Sequence, residues 1–166
     1  MKKQKGFSLI ELLIVVAIIL IIAAIAIPNL MRSRMAANES SAVGSLRTIN
    51  TAQVTYSTTY GTGYTTLAQL GGADPCVAAA INACLLDSIL TAGTKSGYTI
   101  TSAAAGGAGT AANPNTTFES GAQPVAAGQS GQRSFCSDQS GVIRANPAGG
   151  APPAVCAGAA AFLPLQ

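Results

Sequence analysis

The sequence contains no histidine, and its few acidic residues are dispersed, which restricts the chemistry open to it. Without histidine, neither a Ser-His nor a Cys-His nucleophilic site can form. The carboxylates of the C-terminal part are scattered along the chain, which disfavours an acid/base pair without excluding one; they are Asp74, Asp87, Glu119 and Asp138. We therefore expect a protein that is not an enzyme and uses no cofactor.

Charge is also scarce, at 9% of residues compared with roughly 25% in an ordinary soluble domain. The formal net charge is +3, but Lys2, Lys3 and Lys5 all lie in the first five residues. Beyond Gly6, six basic residues oppose six acidic ones, so the rest of the chain is neutral. This distribution does not indicate a nucleic-acid-binding surface.

What the sequence does have is a long apolar run near its start. Sixteen consecutive apolar residues extend from Leu12 to Ile27, and the run reaches back to Phe7 with only Ser8 and Glu11 as interruptions. A charged side chain at the centre of a membrane helix costs about 2.5–3.5 kcal/mol on insertion scales, so such carboxylates usually have a function. Glu11 is therefore the residue whose role most needs an explanation.

Two general interpretations fit a basic start followed by an apolar run. A secretory signal peptide would be cleaved at the Ala24-Ile25-Ala26 match, but the run exceeds the usual core of about 7–15 residues and contains Glu11. A permanent transmembrane anchor fits the length better, since about 20 apolar residues span the hydrocarbon core. The lysines would then keep the N-terminus cytoplasmic and direct the remainder outward.

A third interpretation uses the whole string "KGFSLIELLIVVAIILIIAAIAIP" at positions 5–28. It closely resembles the class III signal of type IV pilins and type II secretion pseudopilins. The resemblance implies that a prepilin peptidase cleaves between Gly6 and Phe7 and that the new amine of Phe7 is methylated. Glu11 and Pro28 then fall at the fifth and twenty-second mature positions, where the family carries a glutamate and often a proline.

The resemblance also suggests what Glu11 does. A carboxylate in an apolar filament core needs a partner, because an unpaired buried charge is very unfavourable. Cleavage creates a cationic amine on Phe7, and Glu11 of one subunit could pair with this amine in its neighbour. The charge would then fix the register between subunits, as a buried polar residue does in a coiled coil.

Beyond the apolar run the pattern predicts a second, amphipathic half of the same helix. Pro28 should kink or interrupt the helix, and Gly61 with Gly63 should end it. Apolar residues at 3-and-4 spacing form one stripe: Met35, Ala42, Leu46, Ile49, Tyr56 and Tyr60. We assign the charged residues of this stretch to other faces: Arg32, Arg34, Glu39 and Arg47.

These elements predict an α+β protein in which the long helix packs on a small antiparallel sheet, the pilin fold. Residues 1–6 form the leader, 7–28 the hydrophobic half-helix, 29–60 the amphipathic half-helix, and 61–166 the globular head. We expect short helical turns within 64–72 and 77–90, and three or four strands in "SGYTITS", "TTFES" and "QRSFCSDQSGVIRA", the last with a turn at 138–141. Residues 103–115 and 145–161 are Ala/Gly/Pro-rich and are expected to be loops.

The four cysteines all fall in the expected exported head, where an oxidising compartment and an even count favour disulfides. Three pairings are possible, and we favour Cys76–Cys84 and Cys136–Cys156 because sequential neighbours close local loops. Residues eight apart in a continuous helix are too distant to bond, so the first pair requires a loop after Pro75. Neither spacing resembles a zinc site, so no metal is expected.

We expect the subunit of a type IV pilus-like filament, a homopolymer serving for example motility or adhesion. The resemblance implies a prepilin peptidase and an inner-membrane assembly machinery as partners, with the chain held in the inner membrane before it enters an extracellular pilus. The alternatives are a type II secretion pseudopilin and a minor pilin that binds DNA or surfaces. Two strings, at Asn38 and Asn115, also match the N-glycosylation pattern, which short strings do often by chance.

Overall fold

The computed structural model describes residues 7–73 and 75–165. The chain divides between Arg34 and Met35 into a first and a second compact unit. The predicted α+β class is confirmed. The helices are α1 (Leu9–Tyr60), α2 (Leu67–Leu70) and α3 (Ser88–Thr91). The strands are β1 (Thr94–Lys95), β2 (Tyr98–Ala105), β3 (Thr117–Pro124), β4 (Ser134–Asp138), β5 (Ile143–Asn146) and β6 (Leu163–Pro164).

Helix α1 ends where its glycines predict. Its last residue is Tyr60, and Gly61 follows with a φ of 66°, the left-handed conformation that glycine adopts without a Cβ penalty. Pro28 lies inside α1, so the proline does not interrupt the helix. Proline lacks a backbone N–H, so the carbonyl of Ala24 has no i+4 donor.

The strands form one antiparallel sheet in the order β1-β2-β3-β4-β5-β6, so each strand pairs with the next along the chain. The described residues contain six strands where three or four were predicted, because β1 and β6 are only two residues long and carry no periodic signal. Two residues with positive φ, Ser96 and Gly97, connect β1 to β2, as a two-residue hairpin requires. The predicted turn at 138–141 joins β4 to β5, and Gly141 N–H donates to the Asp138 carbonyl.

The main core lies between the second half of α1 and one face of the sheet, within the second unit. From the helix it includes Leu46 and Ile49, and from the sheet Tyr98 and Phe135, all fully buried. Burying such side chains contributes about 1.5–3 kcal/mol each.

A buried amide completes this core. Gln53 is fully buried, and its Nε2 donates to the Thr65 carbonyl (2.6 Å) and to the Ser102 hydroxyl (3.1 Å). Its Oε1 accepts from Thr65 N–H at 2.9 Å. Gln53 therefore fixes the chain after α1 to both the helix and strand β2.

Parts of the local prediction were wrong. Residues 77–86 are not helical, and the short α3 begins only at Ser88. Ala79 and Asn82 instead form an isolated bridge, and Ala83 N–H and Leu85 N–H donate to carbonyls at the end of α2. The expected loops also begin too early: 103–105 belong to β2 and 145–146 to β5.

Candidate functional site

The first described residues form the start of α1 around Glu11. Ser8 precedes the helix, and its backbone N–H donates to Glu11 Oε2 at 2.9 Å. Ser8-Leu9-Ile10-Glu11 is the Ser-x-x-Glu spacing of a capping box, in which the glutamate reaches back to the N-cap N–H. The local role of Glu11 in this chain is thus to satisfy an N–H that the helix itself leaves unpaired.

This contact was not predicted, although its signal was in the sequence. The Ser-x-x-Glu spacing directly before an apolar run marks a helix N-terminus. A carboxylate near a helix N-terminus is also favoured by the helix dipole, by about 0.3–1 kcal/mol where it is exposed. Glu11 is therefore favoured at this position for two reasons: its carboxylate accepts a hydrogen bond from Ser8 N–H, and its negative charge lies near the helix N-terminus.

The apolar side chains of the first unit are exposed along the part that the structure describes. Every described residue from Phe7 to Arg34 is exposed except Ala23, which is partly buried. Phe7 is 81% exposed. Helix α1 is long and apolar enough to cross a membrane, with a mean hydropathy of 3.3 over its most apolar window and none of that window buried.

Of the other predicted site residues, Gly6 lies outside the described residues, Phe7 directly precedes Ser8, and Pro28 lies within α1. Cleavage, methylation, the kink and the pairing of Glu11 with a neighbouring amine remain predictions.

The four cysteines form two disulfides in the second unit, Cys76–Cys84 and Cys136–Cys156, with Cα–Cα distances of 6.0 and 5.8 Å. The segment between Cys76 and Cys84 is irregular, as the short spacing requires. The second disulfide joins β4 to the segment that follows β5.

Glu39 contradicts its predicted place on an outward face of α1. It is 8% exposed, and its carboxylate accepts from Gln132 N–H (2.9 Å), Arg133 N–H (3.0 Å) and Arg133 Nε (2.7 Å). Burial raises the pKa of Glu39, but the two backbone hydrogen bonds and the Arg133 guanidinium outweigh burial and hold it below its ordinary value.

The sequence did contain a signal for this contact. Positions 39, 42, 46, 49, 53 and 56 continue a strict 3-and-4 spacing and are all buried, so Glu39 lies on the core stripe itself. It was excluded from the stripe only because it is charged.

Both asparagines of the glycosylation strings hold structural hydrogen bonds. The side-chain amide of Asn38 donates to the Ser130 carbonyl (2.8 Å), and that of Asn115 to the Tyr64 carbonyl (2.9 Å). An attached glycan would use the same nitrogen, so these contacts favour a structural role for both residues.

Comparison with known proteins finds one matching family model and two similar curated pilins. Residues 1–27 match the family model described as the prokaryotic N-terminal methylation motif. The chain is 60% identical over 40 residues to the type IV wide pilus major component PilA4 of Thermus thermophilus, which covers 24% of this chain and 30% of that protein. It is 48% identical over 54 residues to the type IV major pilin protein PilA of Myxococcus xanthus, which covers 32% of this chain and 24% of that protein.

The matches therefore span less than a third of the length of these curated relatives. No solved structure matches the chain significantly. The resemblance seen in the leader and apolar run is confirmed: this chain carries the prepilin N-terminal methylation motif and is similar, over up to 32% of its length, to type IV major pilins.

Proposed function

We propose that the chain is the precursor of a structural subunit of a type IV pilus-like filament. The observation that carries the proposal is that a family motif and an exposed apolar helix occupy the same residues. The methylation motif covers residues 1–27, and from Leu9 onward the same residues form an exposed apolar helix with one carboxylate. An apolar surface of this extent requires a lipid or protein environment in the functional state.

The sequence of events follows from that requirement. Before assembly the apolar half of α1 resides in the inner membrane, with Lys2, Lys3 and Lys5 on the cytoplasmic side and the second unit exported. A prepilin peptidase cleaves after Gly6 and methylates Phe7. The assembly machinery then transfers the subunit to a homopolymer in which packed α1 helices replace the bilayer around the apolar surface.

Glu11 acts in this transfer as a register element. In the single chain its Oε2 accepts from Ser8 N–H, and its Oε1 has no hydrogen-bond partner among the described residues, so it could accept from a neighbour. The amine of Phe7 in an adjacent subunit is the matching cation. Pairing in a water-poor filament core would favour the one axial offset that brings the two charges together.

The alternatives differ in what they need from the second unit. A DNA-binding minor pilin needs a basic surface, but Lys95 lies 3.7 Å from Asp87 and Arg133 pairs with Glu39 at 2.7 Å. These pairs leave Arg47 and Arg144 as the cations of the second unit without an ion pair among the described residues, too few for a phosphate-binding surface. A pseudopilin remains the nearer alternative, and the two relatives named as pilus components favour a pilus over it.

The test is to purify surface filaments from the host and measure the intact mass of their main subunit. We expect a chain beginning at Phe7 with one added methyl group and both disulfides. A Gly6→Val variant should stay uncleaved and unassembled, while the control Lys5→Arg, which keeps the leader charge, should assemble normally. A chain that begins at Ile27 would indicate ordinary signal cleavage, and filaments built from a different subunit would contradict the proposal.

A further inference from the structure

The sheet has a second face, away from α1, that is covered by the C-terminal part of the chain. Side chains alternate along strands, so the neighbours of the core residues point to this outer face. We call residues 147–165 the cover segment. Cys136–Cys156 ties it to β4, Phe162 packs against this disulfide, and β6 within it pairs with β5.

The cover segment lies directly on β3. A Cβ at Gly121 would come within 2.5 Å of Pro152 Cγ, so only glycine permits this approach. A cavity of about 360 Å³ between sheet and segment is lined by Glu119, Gly121 and Pro152, among others. This cavity gives Glu119 a route for exchange with solvent.

Two carboxylates face each other beneath the segment. Glu119 on β3 is the cross-strand partner of Asp138 on β4. One oxygen of each and the Cys156 sulfur lie within 4.8 Å of one another. Glu119 Oε2 accepts from Cys156 N–H at 2.9 Å, which ties it to the cover segment.

Asp138 is only 1% exposed, and only one of its two carboxylate oxygens accepts a hydrogen bond. Its Oδ1 accepts from Ser140 N–H at 2.8 Å and from the Ser140 hydroxyl. Its Oδ2 is buried without a hydrogen-bond partner. A buried carboxylate oxygen without a donor, beside a second carboxylate, is strongly unfavourable unless something positive lies between them.

A metal ion fits this site poorly. The third candidate ligand, Cys156 Sγ, is held in a disulfide and offers no thiolate. The nearby cation is Arg144 on β5, whose Nε is buried without an acceptor. It forms no ion pair with either carboxylate within 4.0 Å among the described residues, and its charge disfavours a second cation.

We propose that Glu119, beside the buried carboxylate of Asp138, holds a proton while the cover segment is closed, and that loss of this proton as pH rises loosens the segment. The proton would remove the repulsion between two anions whose oxygens lie within 4.8 Å of each other. The charged groups facing the pair are those named, on β3, β4 and β5; Ala103, opposite Glu119 on β2, does not titrate, nor does the disulfide of Cys156.

Linkage gives the direction of the effect. Burial raises the pKa of Glu119; the Cys156 N–H opposes this, the charge of Asp138 adds to it, and Arg144 opposes it. Closure of the segment therefore favours protonation, and by reciprocity protonation favours closure. The stabilisation of the closed segment by the proton on Glu119 is fully present below the ordinary pKa range of a carboxyl group. It is lost as pH rises through the raised pKa of Glu119.

The experiment is hydrogen exchange with mass spectrometry on the full chain in detergent, from about pH 4 to pH 8, corrected for the intrinsic pH dependence of exchange. Peptides from the cover segment should exchange several-fold faster at the upper end, up to about tenfold, while peptides from β2 should not change. Glu119→Gln and Asp138→Asn each remove one negative charge, so both should keep the segment protected across the range. Asp87→Asn, on the surface, should behave like the unmodified chain.

Three results would overturn the proposal. One is protection of the cover segment that does not change with pH in the unmodified chain. Another is loss of protection at every pH in both Glu119→Gln and Asp138→Asn, which would assign the carboxylates a role that needs their charge. The third is protection that EDTA abolishes and calcium restores, which would make the pair a cation site.

Discussion

The two units of the chain differ in the burial and the hydrogen-bond partners of their polar side chains. In the second unit, Glu39 and Gln53 are buried and matched to backbone partners tens of residues away or beyond the end of the helix. In the first unit, the one carboxylate is matched only to Ser8, three residues away, and the apolar residues around it are exposed. The second unit can be understood from its own contacts, whereas the apolar side chains of the first are exposed, as the proposed place in a membrane or filament requires.

The largest expected effect comes from Glu11, and it would sharpen this contrast. Glu11→Ala removes both the cap on Ser8 N–H and the charge, whereas Glu11→Gln keeps an acceptor suited to a capping box and removes only the charge. If pairing with the amine of Phe7 governs assembly, both variants should lose filaments, because a buried amine without its partner costs several kcal/mol per subunit.

Filament yield by electron microscopy and abundance in the membrane fraction are the paired measurements. Membrane abundance should be unchanged or higher, since a charge has left the apolar helix. Normal filaments from Glu11→Gln together with their loss in Glu11→Ala would assign Glu11 to capping alone. Normal filaments from both would remove it from assembly.

Replacement of Gln53 tests whether the second unit depends on its buried polar contacts. Gln53→Ala leaves the N–H and the carbonyl of Thr65 buried without partners, and it opens a cavity. We expect a loss of about 3–5 kcal/mol in the free energy of unfolding.

Urea titration of the full chain in detergent, followed by tyrosine fluorescence, measures this loss. Val54→Ala, at the next position but exposed, is the matched control and should change stability by less than about 1 kcal/mol. Equal effects at both positions would mean that the core contacts of Gln53 contribute little.

The sequence predicted those parts of the second unit that depend on local chemistry. Gly61 ended α1, and the Asp138–Gly141 turn placed β4 beside β5, because turn conformations are set by a few adjacent residues. The irregular segment at 77–86 was missed because a disulfide and contacts to α2 override a sequence pattern that is typical of a helix.

The carboxylates were harder to predict for a different reason. Glu119 and Asp138 are distant in sequence and become neighbours only through the register of β3 with β4. Strand β3 has few apolar residues, so its sequence does not show which side chains face the core. The register of β3 with β4 could therefore not be predicted. The start of α1, in contrast, was readable because its motif is continuous in sequence.

The two disulfides should differ modestly in their contribution to the second unit. Cys136–Cys156 closes the longer loop, and the chain-entropy model assigns it about 3 kcal/mol, compared with about 2.5 kcal/mol for Cys76–Cys84. Replacing each pair by serines and measuring urea unfolding would give the two values. Labelling of all four cysteines by an alkylating agent without reductant would show instead that neither bond forms in the native protein.

The smallest effect is expected from Glu39, and its sign separates it from Glu119. The pKa of Glu39 is lowered in the folded chain. Its contribution to the free energy of unfolding is therefore present above its unfolded pKa, near 4.5, and is lost as pH falls through its folded pKa. Glu39→Gln keeps acceptors for the N–H groups of Gln132 and Arg133 and loses the charge. Because the side chain of Arg133 is 45% exposed, the ion pair is screened, and we expect a loss of only about 1 kcal/mol at neutral pH. The difference in the free energy of unfolding between Glu39→Gln and the unmodified chain should shrink as the pH is lowered.

Glu119→Gln should do the reverse. We expect little effect on stability in acid and a gain in stability as pH rises, because the raised pKa of Glu119 makes its charge unfavourable in the folded state. Urea titrations of both variants across this range measure the two slopes, and slopes of the same sign would mean that one of the two carboxylates is assigned the wrong environment.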